Sequence, residues 1–257
     1  MQTITEVAKL AKKPVIQYYG KWPFYRLWGI QEPASVAFSI GNGYMHYYYW
    51  SVLRREIPVG YQMRPYYLGW VVFGVNSWLW STVFHTRDFP LTEKLDYFSA
   101  GASILYSLFF STIRVYRVRN RLVISTWTTL CVVCFLAHVS YLSFVHFNYR
   151  YNMIANAIVA VLHNLLWLGW SAWQYGAWAR AGGRNSSFAW YPAVGVVLIS
   201  LAMAFEIFDF PPVGGVFDAH SLWHLSTIPL IPIWYQFMIK DTQFEIGVGL
   251  TDQKRKT

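Results

Sequence analysis

Apolar runs of about 18 to 23 residues recur along the whole chain, separated by short charged clusters, and this is the length a helix needs to cross about 30 Å of hydrocarbon. The runs fall at Pro33 to Trp50, Tyr66 to Phe84, Leu95 to Ile113, Leu122 to Phe144, Met153 to Trp173, Phe188 to Phe208 and Ala219 to Ile239. Backbone polar groups in lipid must be satisfied within their own segment, so each run predicts a helix rather than an open strand. Trp and Tyr crowd the ends of the runs, as interfacial belts do. The pattern therefore predicts an all-α fold, an integral membrane bundle of seven transmembrane helices.

Composition agrees with that reading. The chain has 257 residues, 55% hydrophobic and 20% aromatic, with only 13% charged, where a soluble domain carries about 25%. The formal charge of +9 raises the question of nucleic acid, and Arg114, Arg117, Arg119 and Arg121 around Tyr116 superficially resemble a binding patch. They lie between two apolar spans, where a short basic loop is the ordinary mark of the cytoplasmic side and offers no extended electrostatic surface. Nucleic acid is excluded as a partner. Cys131 and Cys134, the only cysteines, share the fourth run; a lone C-x-x-C on an apolar helix lacks the further ligands of a zinc site and reads as small apolar filler.

Met1 to Pro14 contains no apolar run of the signal-peptide kind, so the first span is expected to direct insertion. Seven spans put the amino terminus and the carboxyl terminus on opposite sides, here A and B. Side B gathers Arg54, Arg55, Arg64, the four arginines around Tyr116, Arg180, Arg184, Lys240, Lys254, Arg255 and Lys256. Side A loops hold only Arg87, Lys94 and Arg150, with Lys9, Lys12, Lys13, Lys21 and Arg26 in the amino-terminal segment. Side B is the expected cytoplasmic face. The organisation is then a short luminal segment at 1–31, a membrane domain at 32–240 and a cytosolic tail at 241–257. The single glycosylation sequon, Asn185-Ser186-Ser187, falls on side B and is expected to stay bare.

Ionisable side chains at membrane depth are expensive and mark function. Ser81 and His85 stand four apart near the end of the second run, so a helix points both the same way. His220 and His224, one turn apart at the start of the seventh run, can close on one ion from one face. Asp96 begins the third run. All five lie at the side A end, an agreement that the spacing of the histidines does not require.

Three histidines plus a solvent position make a catalytic zinc site with an open coordination place. Zinc brings the pKa of a coordinated water to about 7, and a carboxylate such as Asp96 can orient that water and accept its proton. Ser81 can donate a hydrogen bond to a developing oxyanion. The bland reading of Asp96 is a helix N-terminal charge favoured by the macrodipole. Glu32, preceding Pro33 at the side A mouth, either reaches the site or marks the helix start. Glu206, Asp209 and Asp218 form an acidic side A loop, in which Asp218 either orients a zinc histidine through its other nitrogen or is simply solvated. His46, His138 and His163 are isolated and read as hydrogen-bonded packing.

Gly20-Lys21-Trp22-Pro23-Phe24, Gln31-Glu32-Pro33-Ala34-Ser35, Trp80-Ser81-Thr82-Val83-Phe84-His85-Thr86-Arg87-Asp88, Leu91-Thr92-Glu93-Lys94 and Asp96-Tyr97 come in that order. They are followed by His138-Val139-Ser140-Tyr141-Leu142-Ser143, Phe208-Asp209-Phe210-Pro211-Pro212 and Asp218-Ala219-His220 with Trp223-His224-Leu225-Ser226-Thr227-Ile228-Pro229. Together these closely resemble the post-GPI-attachment to proteins factor 3 family, which belongs to the CREST superfamily of seven-span hydrolases alongside alkaline ceramidases and adiponectin receptors. The likeness runs from about Lys13 to Lys240.

The resemblance implies zinc held by His85, His220 and His224, with Ser81 and Asp96 at the water. It implies a phospholipase that removes the sn-2 acyl chain from the phosphatidylinositol of a GPI anchor, in the Golgi or endoplasmic reticulum membrane, with GPI-anchored proteins as lipid substrate and the active site facing the lumen. Relatives usually begin with a signal peptide and a cysteine-containing luminal segment, and neither is expected from the residues that precede the first run here. Two other readings stand beside it: a ceramidase-type amidase of the same superfamily, since zinc chemistry serves esters and amides alike, and a non-catalytic lipid receptor or escort.

Overall fold

The computed structural model describes residues 6, 10–12, 14–18, 21–180 and 188–254. Arg184 and the sequon Asn185-Ser186-Ser187 lie outside the described residues, as do Lys9, Lys13 and Gly20. The helices are α1 (Pro33–Glu56), α2 (Arg64–Thr86), α3 (Pro90–Val115), α4 (Arg121–Ser140, ending in a π turn at Tyr141–Val145), α5 (Tyr149–Arg180), α6 (Trp190–Ile207), α7 (Ala219–Thr227) and α8 (Leu230–Lys254). Among the described residues the only β pairing is three isolated bridges.

Local chemistry sets these boundaries. Proline occupies the first turn of α1, α2 and α3, where its missing N–H costs nothing and its fixed φ suits a helix. At α3 the Thr92 hydroxyl also accepts from the Phe89 N–H at 2.9 Å. Asn120 caps α4, accepting from the Leu122 N–H at 2.9 Å. Asp218 caps α7, accepting from the Ser221 N–H at 2.9 Å. Pro229 interrupts the backbone ladder, so the segment expected as one span at Ala219 to Ile239 is a short helix followed by a long one. The second of these continues to Lys254, with Asp241 and Thr242 buried, so the segment expected as a tail begins as an extension of the last helix.

Helix α1 packs on α2, α2 on α3, α3 on α5, α5 on α6, α6 on α7 and α8, and α7 and α8 return to α1. The result is a closed ring. α4 lies outside it, against α3, and turns Leu122, Val123, Leu130, Val132, Val133 and Leu136 outward. A helix that is apolar all round yet exposed needs lipid as its solvent. Helices cover the seven expected segments, the last of them as the α7–α8 pair, and among the described residues four stretches are long and apolar enough to cross a membrane: Pro90–Val115, Arg121–Val145, Tyr149–Ala177 and Trp190–Ile207. α1, α2 and the α7–α8 pair fall short of that measure because they carry the interior's polar side chains, among them Ser39, Asn42, His46, Ser81, His85, His224 and Asp241, all buried.

The apolar core sits toward side B, where Tyr49, Leu53, Tyr67, Phe110, Ile113, Trp167, Trp170, Tyr235 and Phe237 interlock. Helices α1 and α2 touch closely here. A Cβ on Gly74 would lie 2.4 Å from His46 Nδ1, so only glycine leaves room for that imidazole, which hydrogen-bonds the Tyr235 hydroxyl at 2.7 Å. His163 pairs with Ser111 at 3.2 Å and His138 with Asn152 at 3.1 Å, so all three isolated histidines are hydrogen-bonded within the protein. Cys131 is buried and Cys134 exposed, both free.

Arg114 departs from the sequence expectation. It is not a loop residue but the last turn of α3, 3% exposed, with its guanidinium bound by both oxygens of Asp241. Tyr67 donates to the same carboxylate at 3.4 Å, and Glu245 bridges Arg114 to Arg117. A buried pair loses far more when one partner is removed than when both are replaced. Arg114→Ala or Asp241→Ala should therefore cost about 3–5 kcal/mol, whereas Arg114→Met with Asp241→Leu should recover most of it. Thermal unfolding midpoints of the detergent-solubilised variants check this, and equal losses in the single and double variants would contradict it.

Candidate metal centre

At the side A end, two helices converge on one point. Ser81 and His85 stand one turn apart on α2, both buried, while α7 supplies His220 and His224 from a single face. The ligand atoms of the three histidines all lie within 4.8 Å of one another. His85 and His224 are buried and His220 is half-buried, so the open side of the cluster is at His220.

Each imidazole is held through Nδ1 by a different element. Glu32, just before α1, meets His85 Nδ1 at 2.7 Å. Glu206, near the end of α6, meets His220 Nδ1 at 2.8 Å. Ser39 of α1 meets His224 Nδ1 at 2.9 Å and Ser81 Oγ at 3.1 Å. The break at Pro229 also serves the site. Ile228 N–H bonds the Leu225 carbonyl rather than that of His224, and the freed His224 carbonyl accepts from Asn42 Nδ2 at 2.8 Å and from the Thr227 hydroxyl at 2.8 Å. Asn42 is fully buried, so α1 fixes both the ring and the backbone of His224.

With Nδ1 occupied, the Nε2 atoms face inward. His220 Nε2 and His224 Nε2 are 3.0 Å apart, and His85 Nε2 is buried with no hydrogen-bond partner. A carboxylate only accepts, so Glu32 and Glu206 select the Nδ1–H tautomer of their histidines and leave lone pairs on Nε2. Three Nε2 atoms this close, one of them without a hydrogen-bond partner, form a ligand set that could hold a shared cation. Three imidazoles with one open side suit a borderline ion such as zinc.

Glu32 lies outside the membrane helices. Burial alone would raise its pKa, but His85, His220 and Lys21 hold it below the ordinary carboxylate value. Its backbone is pinned as well: Glu32 N–H bonds the His85 carbonyl at 3.1 Å, and Gln31 N–H that of Thr86 at 3.2 Å.

The other expected residues fall as follows. Asp96, on the first turns of α3, is in electrostatic reach of His85, His220 and Glu32. Asp218 caps α7 through one carboxylate oxygen and lies in electrostatic reach of His220. Asp209 accepts from Gln17 at 2.7 Å and from Trp22 at 2.8 Å, joining the amino-terminal segment to the loop after α6. Tyr25 N–H adds a bond to the Gly215 carbonyl at 2.9 Å, and Lys21 pairs with Asp88. Ser39 and Asn42 escaped the sequence reading; a serine and an asparagine three apart in an apolar run are the signal that was there.

The Per1-like family model matches residues 1–242. The chain is 41% identical to the Protein PER1 homolog of Schizosaccharomyces pombe over 92% of this chain and 70% of that one. It is 40% identical to the GPI-specific phospholipase A2-like PGAP3 of Danio rerio (88% and 69%) and 36% identical to that of Homo sapiens (90% and 69%). No solved structure gives a significant match.

Removing His85, His220 or His224 leaves too few ligands to hold an ion in a site with one open position. The wild type is expected to carry about one zinc by elemental analysis and each alanine variant to lose it; undiminished zinc in all three would remove the site. Glu32→Gln and Glu206→Gln should instead weaken zinc by about 10- to 100-fold in chelator competition. Unchanged affinity in both would make the two carboxylates incidental.

Proposed function

The chain belongs to the Per1-like family, and from that premise we propose that it is a zinc-dependent lipid hydrolase that removes the sn-2 acyl chain from the phosphatidylinositol of a GPI anchor. The observation that carries this reading is the convergence of the Nε2 atoms of two buried histidines and one half-buried histidine at the end of the bundle that also holds Ser81 and Asp96. Relatives whose names describe a GPI-specific phospholipase A2-like protein support the substrate class. The bundle crosses the membrane seven times, with α1, α2 and the α7–α8 pair completing the count. The excess of basic residues on side B supports a site at the luminal face, and the GPI-related names of the relatives support a membrane of the endoplasmic reticulum or Golgi.

The reaction is ester hydrolysis. Water adds to the sn-2 carbonyl carbon, the bond to the glycerol oxygen breaks, and a fatty acid and a lysolipid leave. Zinc on His85, His220 and His224 would supply Lewis acidity toward water and carbonyl. Asp96 takes the proton from the attacking water and returns it to the departing glycerol oxygen. Ser81 donates to the carbonyl oxygen as it gains charge. Glu32, Glu206 and Ser39 keep the three imidazoles aimed, so little reorganisation accompanies the reaction.

Purified protein given a GPI lipid with a labelled sn-2 chain should release that fatty acid. Asp96→Asn should keep zinc yet slow release by about 100-fold to 10,000-fold, the usual share of proton transfer. Zinc-loaded wild type that binds GPI without releasing acyl chain would favour a receptor or escort. Preferential cleavage of ceramide would favour an amidase.

A further inference from the structure

His224 is held differently from its two partners. Glu32 and Glu206 can only accept, which fixes the proton of His85 and His220 on Nδ1, whereas at His224 the Nδ1 faces the Ser39 hydroxyl at 2.9 Å, which can either accept or donate, and the Ser35 backbone also hydrogen-bonds the ring. Ser39 is fully buried, and its other hydroxyl neighbour is Ser81 Oγ at 3.1 Å.

Resting on the metal-site reading above, we propose that Ser39 is a positioning residue whose hydroxyl couples metal ligation by His224 to the donor orientation of Ser81. For His224 Nε2 to act as a ligand, its ring proton must sit on Nδ1, so Ser39 Oγ accepts. An accepting hydroxyl retains its own proton, and Ser81 Oγ is placed to receive it. Ser81 then accepts from Ser39, and its proton is the one left to donate toward a substrate oxygen. The hydrogen bonds run in one direction: His224 Nδ1–H to Ser39, Ser39 to Ser81, and Ser81 to substrate. In the opposite direction Ser81 would spend its proton on Ser39, and Ser39 its own on a deprotonated Nδ1, leaving His224 Nε2 protonated and unable to bind an ion. No backbone displacement is needed to pass between the two, because only hydroxyl rotors and one ring proton differ. A neutral hydroxyl at this position does what a carboxylate cannot, since a carboxylate has no proton to pass on.

Two measurements on the full-length, zinc-loaded protein test this. Ser39→Ala should weaken zinc about tenfold in chelator competition. At saturating zinc, the double variant Ser39→Ala with Ser81→Ala should release acyl chain no more slowly than Ser81→Ala alone. An unchanged zinc affinity, or losses that multiply in the double variant, would overturn the coupling and make Ser39 a packing residue or one bonded to its own helix. Nitrogen-15 spectra of histidine-labelled wild type give a reading independent of any variant. They should show His224 protonated at Nδ1 in the zinc form, and protonation at Nε2 would overturn the proposed direction. A wild type that takes up no zinc would instead sink the metal-site reading itself, before any variant is made.

Discussion

Three imidazole nitrogens gathered inside an apolar bundle cannot be left facing one another without something positive to share, and the arrangement around them follows from that constraint. Each ring has its outer nitrogen taken by a partner on a separate element: Glu32 before α1, Glu206 on α6 and Ser39 on α1. The three inner nitrogens are thereby aimed at one point rather than at stray acceptors. Burying a carboxylate costs several kcal/mol unless it is paired, so these partners are not neutral filler. They make sense where the imidazoles carry, or share, positive charge.

The same accounting explains the division of the bundle into two ends. Toward side B the ring of helices is closed by aromatic packing and by the Arg114, Asp241 and Glu245 network, which ties α3 to α8. Toward side A the helices meet through polar groups, and the amino-terminal segment is stitched to the loop after α6 through Asp209 and to the end of α2 through Glu32 and Lys21. A rigid apolar end therefore supports a polar, partly open one. α4, outside the ring, contributes apolar surface and leaves the site to the other helices.

Much of this was legible in the sequence. The one-turn spacing of His220 and His224 puts them on one face wherever the helix lies, and the alternation of spans brings His85 to the same end. Glu32 was open in the sequence between reaching the site and marking the helix start, and its pairing with His85, 53 residues away, takes the first course. What escaped depends on partners far apart in the chain: Arg114 is 127 residues from Asp241, and no local pattern links them. Ser39 reads the same as Ser35, four residues earlier in the same run, yet the Ser35 hydroxyl finds no hydrogen-bond partner and the Ser39 hydroxyl finds two. Asp218 is a contrasting case: aspartate three before Ser221 at a helix start is a local capping signal, and the structure uses it so. The break at Pro229 was visible as a proline inside an apolar run, but its use, freeing the His224 carbonyl for Asn42, needed the packing of α1 against α7.

The claim on which the rest depends is that His85, His220 and His224 hold one zinc ion through nitrogen. X-ray absorption at the zinc edge of the purified wild-type protein reads this directly. The account predicts a shell of nitrogen and oxygen ligands at about 2.0–2.1 Å, with imidazole scattering and no sulfur. A sulfur shell at about 2.3 Å, which would draw the ion to Cys131 or Cys134, or protein purified intact and active without zinc, would contradict it.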